Sequence, residues 1–367
     1  MENEKKYYMP DYAVHPGEYL EEVLEAREIK KRELSDRLGI SVKHLSQIIN
    51  KQALLTANMS VKLEKTLGIS ANIWNNLNAN YSLFEARAKD LKSLRNKEEW
   101  LNSFPIKELI KYRFISGAKN STAIIESLLK FFRIPSPKQW NEYYGNLDSV
   151  CFRKSPAYSD DLMHIASWLR AGEILAQDVI TENFSKDNFK KNLLEIRKLT
   201  IKDPREFQSK IKDFCAKSGV ILVFLPEFEK THLSGATRWL TSDKALIIMS
   251  LRYKTNDHFW FTFFHEAGHI LLHGKKEIFI DDSKGYLSNE EEEANRFARN
   301  IIISEDEYKK FISKKKFFDV DIKTFAEKIG IHPGIVVGML QHDKLIKFNW
   351  HNKFKEKFEF KHEKIIG

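Results

Sequence analysis

The chain has 367 residues, enough for two or three domains, with 42% hydrophobic and 12% aromatic residues and a net charge of +9. This composition excludes a disordered chain, and no apolar run approaches the roughly 18–20 residues that a membrane-spanning helix needs. Met1-Glu2-Asn3-Glu4-Lys5-Lys6 lacks the apolar core of a signal peptide, and Cys151 and Cys215 form no metal or redox spacing, so a reducing cytoplasm is expected, with no membrane association. The positive charge permits nucleic-acid binding without demonstrating it.

Short helices open the chain. His15-Pro16-Gly17-Glu18 starts the first, since proline suits a first helical turn, and Tyr19, Leu20, Val23 and Leu24 follow at helical spacing. Lys31 to Leu38 is the next, stopped by Gly39. Ser41 then caps a helix from Val42 to Ile49 whose Leu45, Ile48 and Ile49 face inward. Thr56 to Leu67 forms another. Helix, glycine turn, helix is the arrangement in which the second helix enters a DNA major groove by its N-terminal end. The outward residues of that helix are Val42, Lys43, Ser46 and Gln47: glutamine pairs with adenine, lysine with guanine, and valine touches a thymine methyl. Asn50 and Lys51 are expected where the phosphates run. A plain helical packing module with a solvated polar face fits the same pattern.

His15-Pro16-Gly17-Glu18, Leu34-Ser35-Asp36-Arg37-Leu38-Gly39-Ile40-Ser41, Leu45-Ser46-Gln47-Ile48-Ile49-Asn50 and Leu67-Gly68 with Trp74-Asn75-Asn76-Leu77 resemble the HigA-type antitoxin branch of the XRE helix-turn-helix regulators, over about residues 10–87. The resemblance implies a homodimer that binds inverted-repeat operators in double-stranded DNA, usually at its own promoter. One departure is Lys51, where that family commonly has glycine; non-glycine residues tolerate a left-handed backbone poorly.

Residues 88–200 are helix-rich and charged. Helices are expected from Ser103-Phe104-Pro105 to about Phe114, over Ser121 to Phe132, from a Ser159-Asp160-Asp161 cap through Ile165, Trp168, Leu169 and Ile174, and from Asp187 to Leu199. No catalytic signature appears there; a structural bridge is the expected role, with ligand sensing as an alternative that no residue in the stretch supports. Pro204 to Lys217 is helical. Three strands follow: Val220 to Leu225, Ser234 to Leu240, and Ala245 to Ser250. The edge of such a sheet can bind an extended peptide, and Arg238 on that edge would hold a substrate carbonyl; an ordinary surface salt bridge accounts for it equally well.

His265-Glu266-Ala267-Gly268-His269 carries the chemistry. Positions i and i+4 share one helix face, so both imidazoles reach one tetrahedral Zn²⁺, which takes nitrogen ligands at about 2.0–2.1 Å. Glu266 sits one position round and can take a proton from water. Phe259, Trp260, Phe261, Phe263 and Phe264 before the motif, with Ile270, Leu271 and Leu272 after it, make the helix apolar on every side and therefore buried. Buried histidine and glutamate are costly unless paired or metal-bound. A catalytic zinc site needs a third protein ligand and one open position. Glu291 is favoured for it, with Glu290 and Glu293 as alternatives. Acidic residues also suit a helix N-terminus, and Ser288-x-x-Glu291 reads as a capping box. Glu291-x-x-x-Asn295 resembles the Glu-x-x-x-Asp helix of glutamate-type zinc proteases, which would set Asn295 behind a ligand histidine. His273, about 12 Å along the axis from His265, is expected at the rim, and His258 has no spacing argument.

Trp260 through Gly274, with Glu293-Ala294-Asn295-Arg296-Phe297-Ala298, is similar to the ImmA/IrrE metallopeptidase family over about residues 200–304. Phe325-Ala326 through Gly330-Ile331-His332-Pro333-Gly334 to Leu340 is similar to the C-terminal extension of fused regulator–peptidase members. The resemblance implies one Zn²⁺ per chain on two histidines and a glutamate, the motif glutamate as base, and substrates that are often transcriptional repressors. Ser304 stands where that family often has proline. The expected fold is α+β and mostly helical: a helix-turn-helix domain (1–87), a helical connecting region (88–200), a zincin-like metallopeptidase domain with a small sheet (201–304) and a C-terminal helical extension (305–367). The expected function is a DNA-binding regulator carrying a zinc endopeptidase that cuts a repressor or partner protein. Its rival is a non-catalytic antitoxin that neutralises a toxin and uses the zincin fold to bind a partner or signal.

Overall fold

The computed structural model describes residues 12–118, 120–144, 162–275, 278–282, 288–361 and 364–366. The expected cap at Ser159-Asp160-Asp161 and Cys151 lie outside them. The chain divides into two compact units, Met1–Lys97 and Glu98–Gly367.

The first unit is all helical: α1 (Pro16–Ala26), α2 (Lys31–Leu38), α3 (Val42–Ile49), α4 (Ala57–Leu67) and α5 (Ala71–Ser93). Local signals fix the ends. The Gly17 N–H donates to His15 Nδ1 at 2.9 Å and the His15 N–H to the Glu18 carboxylate at 3.2 Å. Gly39 ends α2 in the left-handed region (φ 67°), which needs no Cβ and turns the chain sharply into α3. Ser41 Oγ then accepts the His44 N–H at 3.2 Å. Leu20, Leu34, Leu45, Ile48, Leu63 and Trp74 fill the core. Helix α5 runs through the expected boundary at residue 87 as far as Ser93, so the division falls after Lys97.

The second unit begins with α6 (Glu98–Asn102), α7 (Ile106–Lys111), α8 (Ser121–Phe132), α9 (Pro137–Tyr144), α10 (Leu162–Ala176) and α11 (Lys186–Arg197). It continues through α12 (Pro204–Ala216), β1 (Val220–Phe224), β2 (Leu233–Thr241), β3 (Lys244–Met249), α13 (Asn256–Leu272), β4 (Phe279–Asp282) and α14 (Asn289–Ile302). Helices α15 (Glu305–Ile312), α16 (Asp319–Ile329) and α17 (Pro333–His342) precede a small hairpin, β5 (Glu359–Lys361) and β6 (Lys364–Ile366). The sheet has four strands in the order β1-β3-β2-β4. Strand β1 pairs parallel with β3, while β2 is antiparallel to both β3 and β4. Three strands match the hydrophobic runs in the sequence; β4 is an addition.

Strand β2 therefore lies between β3 and β4 and is no edge. Its side chains alternate between the two faces. Gly235 and Thr237 face α13, and Arg238 faces α10. Phe189, Leu193 and Ile196 of α11, Trp260 and Phe264 of α13, and Ile335, Val336 and Leu340 of α17 share one core. Part of the expected connecting region, the peptidase segment and the C-terminal extension thus fold as one body. The tail also anchors the start of α13. The Asn256 N–H donates to the Glu356 carbonyl at 2.9 Å, and Lys355 pairs with the buried Asp257 at 2.6 Å. Ser304 caps α15, its Oγ accepting the Glu307 N–H at 3.4 Å, so serine in place of proline changes only a helix start.

Candidate metal centre and helix-turn-helix face

Aromatic residues on α13 bury the helix, and the motif histidines are buried with it: His265 is 2% exposed, His269 1% and Glu266 0%. One turn of spacing sets the two imidazoles together, with their Nε2 atoms 2.9 Å apart. Helix α14 packs alongside. Its cap, Ser288, accepts the Glu291 backbone N–H at 3.3 Å, which leaves the Glu291 side chain for other work. The Glu291 carboxylate lies 3.1 Å from His265 Nε2 and 3.5 Å from His269 Nε2. The three groups' ligand atoms all lie within 4.8 Å of one another. Glu293 is directed elsewhere, to His273 Nε2 at 3.3 Å, and Glu290 is not among the three converging groups.

The rear faces of the imidazoles are also held. Asn295 Oδ1 is 3.0 Å from His265 Nδ1. A carbonyl oxygen only accepts, so that nitrogen carries the proton and Nε2 keeps its lone pair toward the centre. His269 Nδ1 is 2.9 Å from His273 Nδ1. With His273 Nε2–H donating to Glu293, the hydrogen between the two rings belongs to His269, and its Nε2 is likewise free to coordinate. His273 is thus no rim residue: its side chain is 6% exposed and backs His269. The spacing to His269, i+4 on the same helix, is the signal that could have placed it.

Burial sets the protonation. It pushes His269 down to about 4, aided by the neighbouring histidines and opposed by Glu291, so the ring is neutral at pH 7. Burial alone would raise the Glu291 carboxyl, but in the metal-free site the facing His265 and His269 rings outweigh it and hold the group well below the usual carboxylate range. Two imidazoles and one carboxylate are a donor set that fits Zn²⁺.

Glu266 is positioned from the sheet. Thr237 Oγ1 donates to Glu266 Oε2 at 2.5 Å. Strand β2 comes this close because Gly235 has no Cβ; one there would lie 2.7 Å from Glu266 Oε1. Thr237 was missed in the sequence, where nothing reveals which helix a strand residue faces. Arg238, expected at a substrate edge, instead ion-pairs with Glu173 on the opposite face of the sheet. The two-residue period of the strand forces this: consecutive residues cannot both face α13.

In the first unit, Val42 is 43% exposed, Lys43 and Asn50 are exposed, and Ser46 and Gln47 are half-buried. His44 shares the exposed N-terminal turn of α3 and extends the candidate surface. The Lys51 backbone is left-handed (φ 62°), and its ammonium pairs with Glu18 and lies over the Tyr81 ring at 5.7 Å.

Residues 216–340 match the family model of the IrrE N-terminal-like domain, peptidase M78, and residues 20–74 match that of the helix-turn-helix. The uncharacterized HTH-type transcriptional regulator YddM of Escherichia coli is 32% identical over 81 residues, which are 22% of this chain and 86% of that protein. The Pseudomonas aeruginosa antitoxin HigA, solved with the higBA promoter, is 31% identical over 23% of this chain and 95% of its own, with a TM-score of 0.22. A HigA-family addiction module antidote protein from Coxiella burnetii is 28% identical over 23% of this chain and 92% of its own, with a TM-score of 0.21. By its first unit the chain belongs to the XRE-type helix-turn-helix transcriptional regulators, and its second unit carries an IrrE/ImmA-like domain of the M78 peptidase family.

Proposed function

We propose that the chain is a DNA-binding, antitoxin-like regulator whose second unit is a zinc-dependent endopeptidase acting on a repressor or partner protein. The observation that carries this reading is the meeting of His265, His269 and Glu291 beside the Thr237-held carboxylate of Glu266. When bound, one Zn²⁺ per chain would polarise the scissile carbonyl and acidify water. Glu266 is the group that accepts the proton of the attacking water and returns it to the leaving amine. Asn295 and His273 hold the two ring planes in their coordinating orientation.

For the first unit, the exposed turn of α3 with Val42, Lys43 and His44, and Gln47 one turn on, supports reading of base edges in an inverted-repeat operator by a homodimer. Replacing Lys43 and Gln47 by alanine is expected to cost roughly 1–3 kcal/mol each in sequence discrimination, checked by binding to operator and scrambled duplexes at fixed salt.

The near-complete burial of Glu266, His265 and His269 favours a second reading, in which the domain binds a toxin or other partner without cutting it. Proteolysis of candidate partners by wild type beside Glu266→Gln separates the two. Cleavage by wild type alone supports the peptidase, and equal cleavage by both removes Glu266 from the mechanism.

A further inference from the structure

A cavity of about 380 Å³ opens on the face of the sheet turned away from α13, among α9, α10, β2 and the turn after α8. Sites for small molecules run from roughly 300 to 1,000 Å³. Three guanidinium groups, Arg133, Arg170 and Arg238, line it beside a single carboxylate, Glu173. Arg170 is buried, 9% exposed at the side chain, and fixed: its Nε donates to the Phe131 carbonyl at 2.9 Å and its Nη1 to Glu173 at 2.7 Å. Glu173 takes Arg238 Nη1 on its other oxygen. Arg238 Nε is left buried with no hydrogen-bond partner among the described residues. A desolvated, charged N–H without an acceptor is costly, and three guanidinium groups against one carboxylate leave the cavity an excess of positive charge that an anionic ligand would offset.

The rest of the wall describes the other end of the ligand. Tyr143 is 71% exposed and meets Tyr144 in a T-shaped pair at 5.0 Å, so an exposed aromatic ring borders the cavity for a planar group. Burial pushes the Tyr144 phenol up to about 12, so it adds no negative charge to the cavity. Guanidinium forks match phosphate oxygens in geometry as well as charge.

We propose that this cavity binds a nucleoside monophosphate, with its phosphate on Arg238 and Arg170 and its base against Tyr143. The test is calorimetric titration of the full-length protein with AMP, CMP, GMP and UMP in turn, beside inorganic phosphate and adenosine. At least one nucleotide is expected to bind once per chain and more tightly than phosphate or adenosine. Arg238→Gln is expected to weaken it about tenfold or more. The exposed Tyr143→Ala, which leaves the core intact, is also expected to weaken it, and Lys43→Ala in the first unit to leave it unchanged. Failure of all four nucleotides to bind, affinity unaltered by Arg238→Gln or by Tyr143→Ala, loss in Lys43→Ala, or phosphate or adenosine binding as tightly as any nucleotide would overturn the assignment. The measurement needs no peptidase activity, so it stands apart from the reading of the metal centre.

Discussion

Thr237 on the sheet and Glu266 on α13 are joined by a 2.5 Å hydrogen bond, and Thr237 Oγ1 also reaches the Glu266 carbonyl at 3.2 Å. The hydroxyl fixes one oxygen of a carboxylate that is wholly buried. Thr237→Val removes that donor at nearly constant volume. Partner cleavage is expected to fall on the order of 10-fold, in the range typical of groups supporting a metal site, while zinc content stays that of wild type. Metal analysis and cleavage rate, measured on one preparation, check both halves.

Gly235 gives the second prediction. A Cβ there would lie 2.7 Å from Glu266 Oε1 and 2.9 Å from Thr262 Cγ2, and neither α13 nor the strand is free to retreat within a packed core. Gly235→Ala is expected to cost about 1–3 kcal/mol of stability, read in denaturant unfolding, and to reduce cleavage by displacing Glu266.

Metal-free protein is expected to lose stability in acid. His269 is held near 4 in the fold against an ordinary 6.5, so between those values the unfolded chain binds the extra proton and stability falls as pH drops. Glu291, held below its ordinary 4.5, adds a further loss as pH falls below that value. Thermal melts of chelator-treated protein should therefore decline from about pH 6.5 downward, and His269→Ala should flatten the upper part of the decline. A flat profile in wild type would contradict the burial argument.

Helix content and the pairing of the motif histidines were legible in the sequence because both depend on local spacing: His265 and His269 share a face in any helix, and Gly39 with Ser41 marks a turn wherever it occurs. What the sequence concealed depends on which surfaces meet. Arg238 and Thr237 are adjacent, and only the packing of α13 on one sheet face and α10 on the other gives them opposite surroundings. Strand β4 has four residues and no long apolar run, so its pairing with β2 is a tertiary fact. Glu291 was favoured over Glu290 and Glu293 in the sequence, and the rotation of α14 against α13 turns it to the two histidines while Glu293 meets His273.

Lys51 offers a prediction for the first unit. Its left-handed backbone is unfavourable for any residue with a Cβ, and its pair with Glu18 is exposed on both sides and contributes little. Lys51→Gly is expected to melt higher than Lys51→Ala and no lower than wild type, because glycine relieves the backbone and alanine only removes the pair. Thermal denaturation of the three proteins at low and high salt checks the order.

Two imidazoles of α13 and one carboxylate of α14 are proposed to hold a single zinc ion. Elemental analysis of purified wild type, His265→Ala and Glu266→Gln, each handled without added metal, tests it most directly. The expected result is one zinc per chain in wild type and in Glu266→Gln, with zinc lost from His265→Ala. Wild type free of zinc, or His265→Ala retaining a full equivalent, would contradict it.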